Sequence, residues 1–176
     1  MTRQSPALNV RRASTEDAEL LAELGARTFA ETFAKDNSPE DMAAYLADSF
    51  SVERLTAELN DPLSVFFIAE IDGSAAGYAK IHSGGASGAV EGERPVELVR
   101  LYVSQEWLGR GVGQELMKRC IDEARWMGFQ TVWLGVWERN DRARAFYRKW
   151  DFHEVGEHIF QLGSEPQRDV VMQRAV

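Results

Sequence analysis

The stretch from Glu97 to Phe129 constrains the fold more than any other part of the sequence. It begins with an apolar run of Val, Leu and Tyr bounded by polar residues, which predicts a buried strand. A glycine-interrupted loop at 107–113 follows, and apolar residues then recur at helical spacing as far as Met127. A strand that runs through such a loop into a helix presents free backbone N–H groups at the positive end of the helix dipole. The segment therefore predicts a binding site for an anion such as phosphate.

The spacing of the glycines excludes two familiar phosphate sites. A dinucleotide fingerprint, G-x-G-x-x-G, requires a third small residue. Counted from Gly109 that place is held by Gln114, and counted from Gly111 it is held by Leu116 instead. A P-loop requires Lys and then Ser or Thr after its last glycine, whereas Gly113 is followed by glutamine and glutamate. Two interpretations remain, a different phosphate cradle or a plain glycine-rich turn before a helix.

Length and composition are those of one ordinary globular domain. With 176 residues, 44% of them hydrophobic, the chain can bury a core of its own. No apolar run approaches the ~20 residues of a membrane span, and the first residues lack the apolar segment of an export signal, which predicts a cytoplasmic location. The single cysteine, Cys120, excludes an internal disulfide and falls on the apolar face of the predicted helix, so a core position is predicted. The three histidines lack metal-ligand spacing, so no metal is predicted.

Charge is distributed unevenly along the chain. The net charge of −8 argues against a nucleic-acid partner. Residues 100–149 nevertheless carry ten basic and six acidic side chains, whereas Thr15–Asp61 carries twelve acidic and three basic ones. A basic segment within an acidic protein suits a polyphosphate cofactor next to a cationic substrate. Ordinary solvated helix faces would give the same counts.

Periodicity and turn residues predict the remaining elements. Helices are predicted from Thr15 to Phe33, from Pro39 to Phe50, from Ser51 to Leu59 and from Asn140 to Trp150. Strands are predicted at 8–12, 65–69, 76–82, 131–136, 152–159 and 169–174. This order predicts an α/β fold of the mixed α+β type, with a mixed sheet and helices on both of its faces.

The loop Arg110-Gly111-Val112-Gly113, directly after a strand that carries Glu97, resembles motif A of the GCN5-related N-acetyltransferases (GNAT). In that family the loop cradles the pyrophosphate of acetyl-CoA, with the pattern Gln/Arg-x-x-Gly-x-Gly/Ala. Leu108 holds the first position here, which removes one side-chain contact and leaves the backbone cradle. The resemblance implies acetyl-CoA as co-substrate, bound in this segment by Leu101, Tyr102, Val103, Gly109, Arg110, Gly111, Val112, Gly113 and Gln114.

A second segment, Asn140-x-x-Ala-x-x-Phe-Tyr147 with Phe152 after it, resembles motif B of the same family. There the Asn contacts the CoA arm and the Tyr lies beside the sulfur. The usual Gly-Phe is Asp151-Phe152, a departure that affects only the turn. An N-cap role for Asn140 and a core role for Tyr147 would explain both residues without any function. The two motifs together imply a single N-acetyltransferase domain over residues 1–176, with a GNAT-like, central, mixed and mostly antiparallel twisted sheet flanked by helices on both faces.

Acyl transfer to an amine requires a base, donors for the oxyanion and a proton for the leaving thiolate. The amine is protonated at neutral pH, with a pKa of ~10.4 if it is lysine-like. Glu97 matches the catalytic carboxylate of some family members, so the resemblance implies a general base, acting directly or through water. The alternative is a charged strand end that faces solvent. We expect backbone N–H groups near Leu101–Val103 to polarise the thioester carbonyl and Tyr147 to act as general acid.

The acceptor is the least determined part of the function. The segments 31–46 and 156–169 resemble bacterial polyamine N-acetyltransferases, which acetylate spermidine or spermine. Acidic helices near an open cleft would concentrate such a polycation. A small amine, an amino acid and a protein amino terminus remain open as acceptors, and a homodimer is compatible with the sequence. The alternative function is a non-catalytic acyl-CoA-binding or partner-binding module with the same fold.

Overall fold

A seven-stranded sheet forms the centre of the computed structural model, which describes residues 7–176. The strands are β1 Leu8–Arg12, β2 Ser64–Ile71, β3 Ser74–His82, β4 Pro95–Val103, β5 Thr131–Trp137, β6 His153–Leu162 and β7 Glu165–Ala175. The helices are α1 Ala18–Phe33, α2 Pro39–Ser49, α3 Val52–Asn60, α4 Val112–Trp126 and α5 Asp141–Lys149. The strand order is β1-β2-β3-β4-β5-β7-β6, and every neighbouring pair is antiparallel except β4 and β5. The predicted mixed, mostly antiparallel sheet is confirmed.

Helix α2 begins at Pro39, as its capping residues predict, whereas α1 begins at Ala18, three residues after the predicted Thr15. A short 3-10 turn precedes α1, and there the Ser14 N–H donates to Asp17 Oδ2 at 2.8 Å. At the start of α2, the Asp41 N–H donates to Ser38 Oγ at 3.1 Å, with Pro39 as the first helical residue. The Asp17 carboxylate and the Ser38 hydroxyl thereby each accept from a backbone N–H that has no partner within the helix.

Apolar side chains cover both faces of the sheet. On one face, Leu116, Met117 and Cys120 of α4 pack against the strands, and on the other α1 and α3 bury Leu21 and Leu55. Burial raises the pKa of the Cys120 thiol, as expected for the predicted core position. The prediction of helices on both faces is confirmed. Within residues 7–176 no helix is both long and apolar enough to span a bilayer.

The central strands β4 and β5 separate after a short parallel stretch. They pair over three residue pairs only, the last of which joins Glu97 to Trp133. In the β3–β4 ladder the register shifts beside this point, so that Val99 is left outside the pairing between Leu98 and Arg100. Such a bulge bends the strand that carries it. The two strands therefore diverge and leave a cleft in the middle of the sheet.

A buried ion-pair cluster fixes α3 against the sheet. Glu58 of α3 accepts from Lys80 Nζ at 2.9 Å and from Arg100 Nη1 at 2.7 Å. Burial alone would raise the pKa of Glu58, but the two cations outweigh it and lower the pKa to about 2.

We expect Glu58→Gln to lower the free energy of unfolding at pH 7 by about 3 kcal/mol, because it leaves two buried cations unpaired. The contribution of Glu58 is present in full above the ordinary carboxyl pKa of 4.5 and is lost as the pH falls toward about 2. Denaturant unfolding at several pH values measures the difference, which should shrink over that range. Glu53→Gln, at an exposed position of the same helix, is the control. Equal losses in both variants would contradict the prediction.

Candidate active site

A cavity of about 980 Å³ occupies the cleft between β4 and β5 and extends from α1 to α5. Its two ends differ in character. The loop end is lined by Gly109, Gly111, Gly113, Asn140 and Tyr147. The aromatic end is lined by Phe29, Phe33, Tyr45, Trp137 and Phe160.

Two glycines of the loop have backbone conformations that favour glycine. Gly109 has a φ of +76° and Gly111 has a φ of +84°. A Cβ at either position would meet nothing within 4 Å, so conformation and not space calls for glycine. The first hydrogen bond of α4 runs from the Glu115 N–H to the Gly111 carbonyl at 3.1 Å. The N–H groups of residues 112–114 therefore have no partner within the helix, at the positive end of its dipole.

Three predicted loop residues differ in what they present to the cavity. The Gln114 side chain is exposed at the cavity wall. Val112 is only 1% exposed, because it begins the apolar face of α4. The Arg110 guanidinium lies 5.1 Å from the centroid of the Trp107 ring, a cation–π arrangement on an exposed loop. Neither Val112 nor Arg110 lines the cavity, and the buried Val112 can take part there through the main chain only. Leu108, at the position where the family motif has Gln or Arg, is an exposed apolar side chain of the lining.

The amide groups of β4 alternate between β3 and the cleft. The Ser104 N–H donates to the Ala76 carbonyl at 2.8 Å, toward β3. Because successive amides of a strand point to opposite sides, the N–H groups of Leu101 and Val103 point away from β3 into the cleft. By the same alternation the Tyr102 N–H points to β3. Tyr102 reaches the cavity with its ring, whose centroid is 6.2 Å from that of Phe29.

Helix α5 brings Asn140 and Tyr147 to the cavity. Asn140 Oδ1 accepts from the Ala143 N–H at 3.2 Å, so its N-cap role is real, and its Nδ2 is left for another acceptor. The Tyr147 ring packs edge-on against Phe146 and Phe152, with centroids 5.6 and 5.8 Å apart. Burial, with a smaller contribution from Cys120, raises the pKa of Tyr147, so the phenol is protonated throughout the neutral range.

Glu97 lines the same cavity from the third position of β4. Its side chain is half-buried, which excludes the alternative of a charged strand end that faces only solvent. Burial raises the pKa of Glu97, and the nearby side chains of His158 and Lys80 oppose that effect. A carboxylate with a raised pKa is a stronger base than an exposed one.

Two residues with no role in the sequence analysis, His158 and Asp169, meet at the aromatic end. His158 Nε2 lies 3.5 Å from Asp169 Oδ2, and both side chains line the cavity. They occupy the space above Gly135, where a Cβ would lie 2.8 Å from the imidazole and 3.2 Å from the carboxylate. Burial raises the pKa of Asp169 to about 6, although His158 opposes it. The sequence carries one signal for this pair. A two-residue hairpin turn at 163–164 sets the register of the two strands, and in that register position 158 lies opposite 169.

The segments 31–46 and 156–169 meet at this end of the cavity. Gln167 Nε2 donates to Asn37 Oδ1 at 2.5 Å, and the Ser164 N–H donates to Asp41 Oδ1 at 2.9 Å. The Tyr45 ring packs against Phe160 with centroids 5.6 Å apart. Helix α2 and the β6–β7 hairpin together therefore close the aromatic end.

The acidic helices contribute less to the cavity than their composition suggests. Of the twelve acidic residues in Thr15–Asp61, only Glu31 lines it. Glu58 of α3 is paired with Lys80 and Arg100, which lie on strands of the sheet. The carboxylates at the aromatic end come instead from the sheet, as Glu97 and Asp169. Across the described part of the chain, no cluster of His, Cys, Asp and Glu could hold a metal ion.

Comparisons with known proteins agree with this geometry. The sequence model of the acetyltransferase (GNAT) family matches residues 23–152. An uncharacterized N-acetyltransferase of Lactobacillus delbrueckii is 34% identical over 93% of this chain and 94% of its own, and one of Mycobacterium tuberculosis is 35% identical over 90% and 97%. The crystal structure of the PaiA N-acetyltransferase from Thermoplasma acidophilum, in complex with coenzyme A, has a TM-score of 0.75 at 21% identity. It covers 97% of this chain and 99% of its own.

Proposed function

Because the chain belongs to the acetyltransferase (GNAT) family, we propose that it transfers the acetyl group of acetyl-CoA directly to a primary amine, with a polyamine as the expected acceptor. One observation carries the proposal. The cleft between β4 and β5 joins a glycine loop and two free β4 amides to a half-buried carboxylate, Glu97, in a single cavity. These are the groups that a phosphate-bearing thioester and an ammonium would each require.

The loop end fits acetyl-CoA. The free N–H groups at 112–114 would bind the pyrophosphate at the start of α4. Asn140 Nδ2 and the cleft-facing amide of Val103 would hold the pantetheine arm, which carries amide groups of its own. Arg142 and Lys149 line the cavity from α5 and offer two cations for the remaining phosphate. Support also comes from the structurally similar PaiA protein, which was solved with coenzyme A.

The chemistry follows from the order of groups along the cavity. Glu97 takes a proton from the acceptor ammonium, directly or through water, and the freed nitrogen attacks the thioester carbonyl. The Leu101 N–H is directed into the cleft and stabilises the oxyanion. As the carbon–sulfur bond breaks, the Tyr147 hydroxyl donates to the departing thiolate, and the second proton that the nitrogen loses on becoming an amide restores the phenol.

The aromatic end supports a cationic acceptor with an aliphatic stem. The carboxylates of Glu97 and Asp169 can each neutralise an ammonium group, and aromatic walls accommodate both methylene groups and cations. A polyamine has both features. Family membership shows an acetyltransferase but does not select a polyamine, so a comparison of amine acceptors tests this choice directly.

The deciding experiment measures thiol release from acetyl-CoA with a panel of amines. The panel comprises spermidine, spermine, a monoamine, an amino acid and a peptide with a free amino terminus. We expect release with the polyamines and a mono-acetylated product by mass spectrometry. Acetyl-CoA binding without release on any amine would support the alternative, a non-catalytic acyl-CoA-binding module. A cytoplasmic location, a homodimer and a single domain over residues 1–176 stay predictions.

Gly111→Ala should weaken acetyl-CoA binding about tenfold, because alanine at a φ of +84° costs about 1–2 kcal/mol and tilts the amides at the start of α4. Gly113→Ala is the matched control, since its Cβ would lie 3.7 Å from Phe146 in ordinary contact. Calorimetric titration with acetyl-CoA separates the two variants. If both bind like the wild type, the loop is not the phosphate cradle.

A further inference from the structure

His158 has no part in the reaction as proposed above, although it lines the same cavity beside Asp169. The Asp169 side chain is 11% accessible, whereas that of His158 is 34% accessible. The carboxylate is therefore inside, and the imidazole extends from it toward solvent. A carboxylate beside one ring nitrogen fixes the orientation of an imidazole and stabilises its protonated form.

The groups around the imidazole leave few candidates for proton exchange. The titratable and charged side chains that line the cavity outside its loop end are Glu31 on α1, Lys35, Tyr45 on α2, Glu97, Arg100 and Tyr102 on β4, and Asp169 on β7. Glu31 already accepts from the Gln105 N–H at 2.9 Å, and a lysine ammonium is a donor only. Arg100 is already paired with Glu58 at 2.7 Å. Burial raises the pKa of both Tyr45 and Tyr102, so these phenols stay neutral. Glu97, His158 and Asp169 remain.

We propose that His158, oriented by Asp169, receives the proton that Glu97 takes from the acceptor ammonium and passes it to solvent. This inference rests on the proposed function. His158 Nε2 faces Asp169, which leaves Nδ1 to accept the proton.

The proton balance of the reaction calls for such an exit. The ammonium N–H bond breaks and an O–H bond forms on Glu97, the proton then moves to the imidazole, and from there it reaches water. The amide product is neutral, so one proton must leave this end of the cavity in every turnover. The nitrogen loses its second proton when the tetrahedral intermediate collapses, and that proton restores the Tyr147 hydroxyl, which has given its own to the thiolate. No oxidant or further reactant is involved.

The test is chemical rescue with imidazole. His158→Ala should lower kcat about tenfold, less than the ~10²-fold of a direct acid or base, with acetyl-CoA affinity unchanged. Added imidazole should restore kcat in proportion to its unprotonated concentration, because it can occupy the space that the side chain leaves. Asp169→Asn should also lower kcat but should resist rescue, since the ring still fills its place. His153→Ala, exposed on the same strand β6, is the control and should match the wild type with or without imidazole.

Each outcome bears on a different claim. His158→Gln, of similar length but unable to carry a proton, guards against misfolding of the alanine variant, and circular dichroism checks both. The proposed proton exit through His158 would be overturned if both His158→Ala and His158→Gln kept the wild-type kcat. It would also be overturned if imidazole did not restore the kcat lost in His158→Ala. Absence of thiol release by the wild-type protein with every amine would instead overturn the proposed function.

Discussion

Tyr147→Phe should lower kcat by about 10³-fold and leave acetyl-CoA affinity nearly unchanged. The hydroxyl is the only group that the substitution removes, and the ring keeps its packing against Phe146 and Phe152. Because burial raises the pKa of Tyr147, the phenol is protonated at every pH at which the assay runs, and it can donate to the thiolate. Steady-state kinetics and calorimetric titration with acetyl-CoA measure the two quantities separately.

Tyr78→Phe is the matched control for this result. The Tyr78 hydroxyl is buried, does not line the cavity and has no hydrogen-bond partner within residues 7–176. Its removal should therefore leave kcat unchanged. If Tyr147→Phe keeps its turnover, or if its loss lies wholly in acetyl-CoA binding, Tyr147 is not the general acid.

Glu97→Gln should lower kcat/KM by about 10³-fold at pH 8 and should change its pH dependence. Burial raises the pKa of Glu97, so the wild-type carboxylate becomes protonated at a higher pH than an exposed glutamate would. Activity that needs the carboxylate is present above that pKa and falls as the pH drops through it. The glutamine variant cannot lose a proton there, so its kcat/KM should lack this fall.

The ratio of wild-type to variant kcat/KM is the quantity to measure, because protonation of the acceptor itself affects both enzymes equally. We expect the ratio to decrease as the pH falls. Glu93→Gln, an exposed position near the start of the same strand, should behave as the wild type. A ratio that stays constant between pH 5 and 9 would show that Glu97 does not act as the base.

Local signals account for the parts of the structure that the sequence predicted well. Ser38 and Pro39 mark the start of α2 because capping depends on residues three positions apart. The loop before α4 was predictable for the same reason, since positive φ angles at Gly109 and Gly111 call for glycine locally. Strand positions followed from short apolar runs bounded by turn residues.

The shape of the cleft was not predictable in this way. The bulge at Val99 depends on how β3 and β4 align, and nothing in the apolar run Leu98–Val103 distinguishes a bulged residue from a paired one. The acceptor end depends on pairings across the whole chain, such as Asn37 with Gln167. A charge count assigned the attraction of a cation to the front helices, whereas only Glu31 of those helices lines the cavity and the other two carboxylates that face it, Glu97 and Asp169, lie on the sheet. Composition records how many charges a segment has but not the direction in which they point.

The short parallel pairing between β4 and β5 has a consequence for how such a protein can diversify. In the proposed function, donor recognition relies on main-chain amides, which amino-acid replacement alters little. The opposite wall is assembled from side chains of α1, α2 and the β6–β7 hairpin, joined by contacts such as that between Asp41 and Ser164. Since only three residue pairs tie the two halves of the sheet together, new side chains on that wall can widen or narrow the entrance without breaking the ladder. A scaffold of this kind can evolve toward a different amine acceptor while its acetyl donor stays the same.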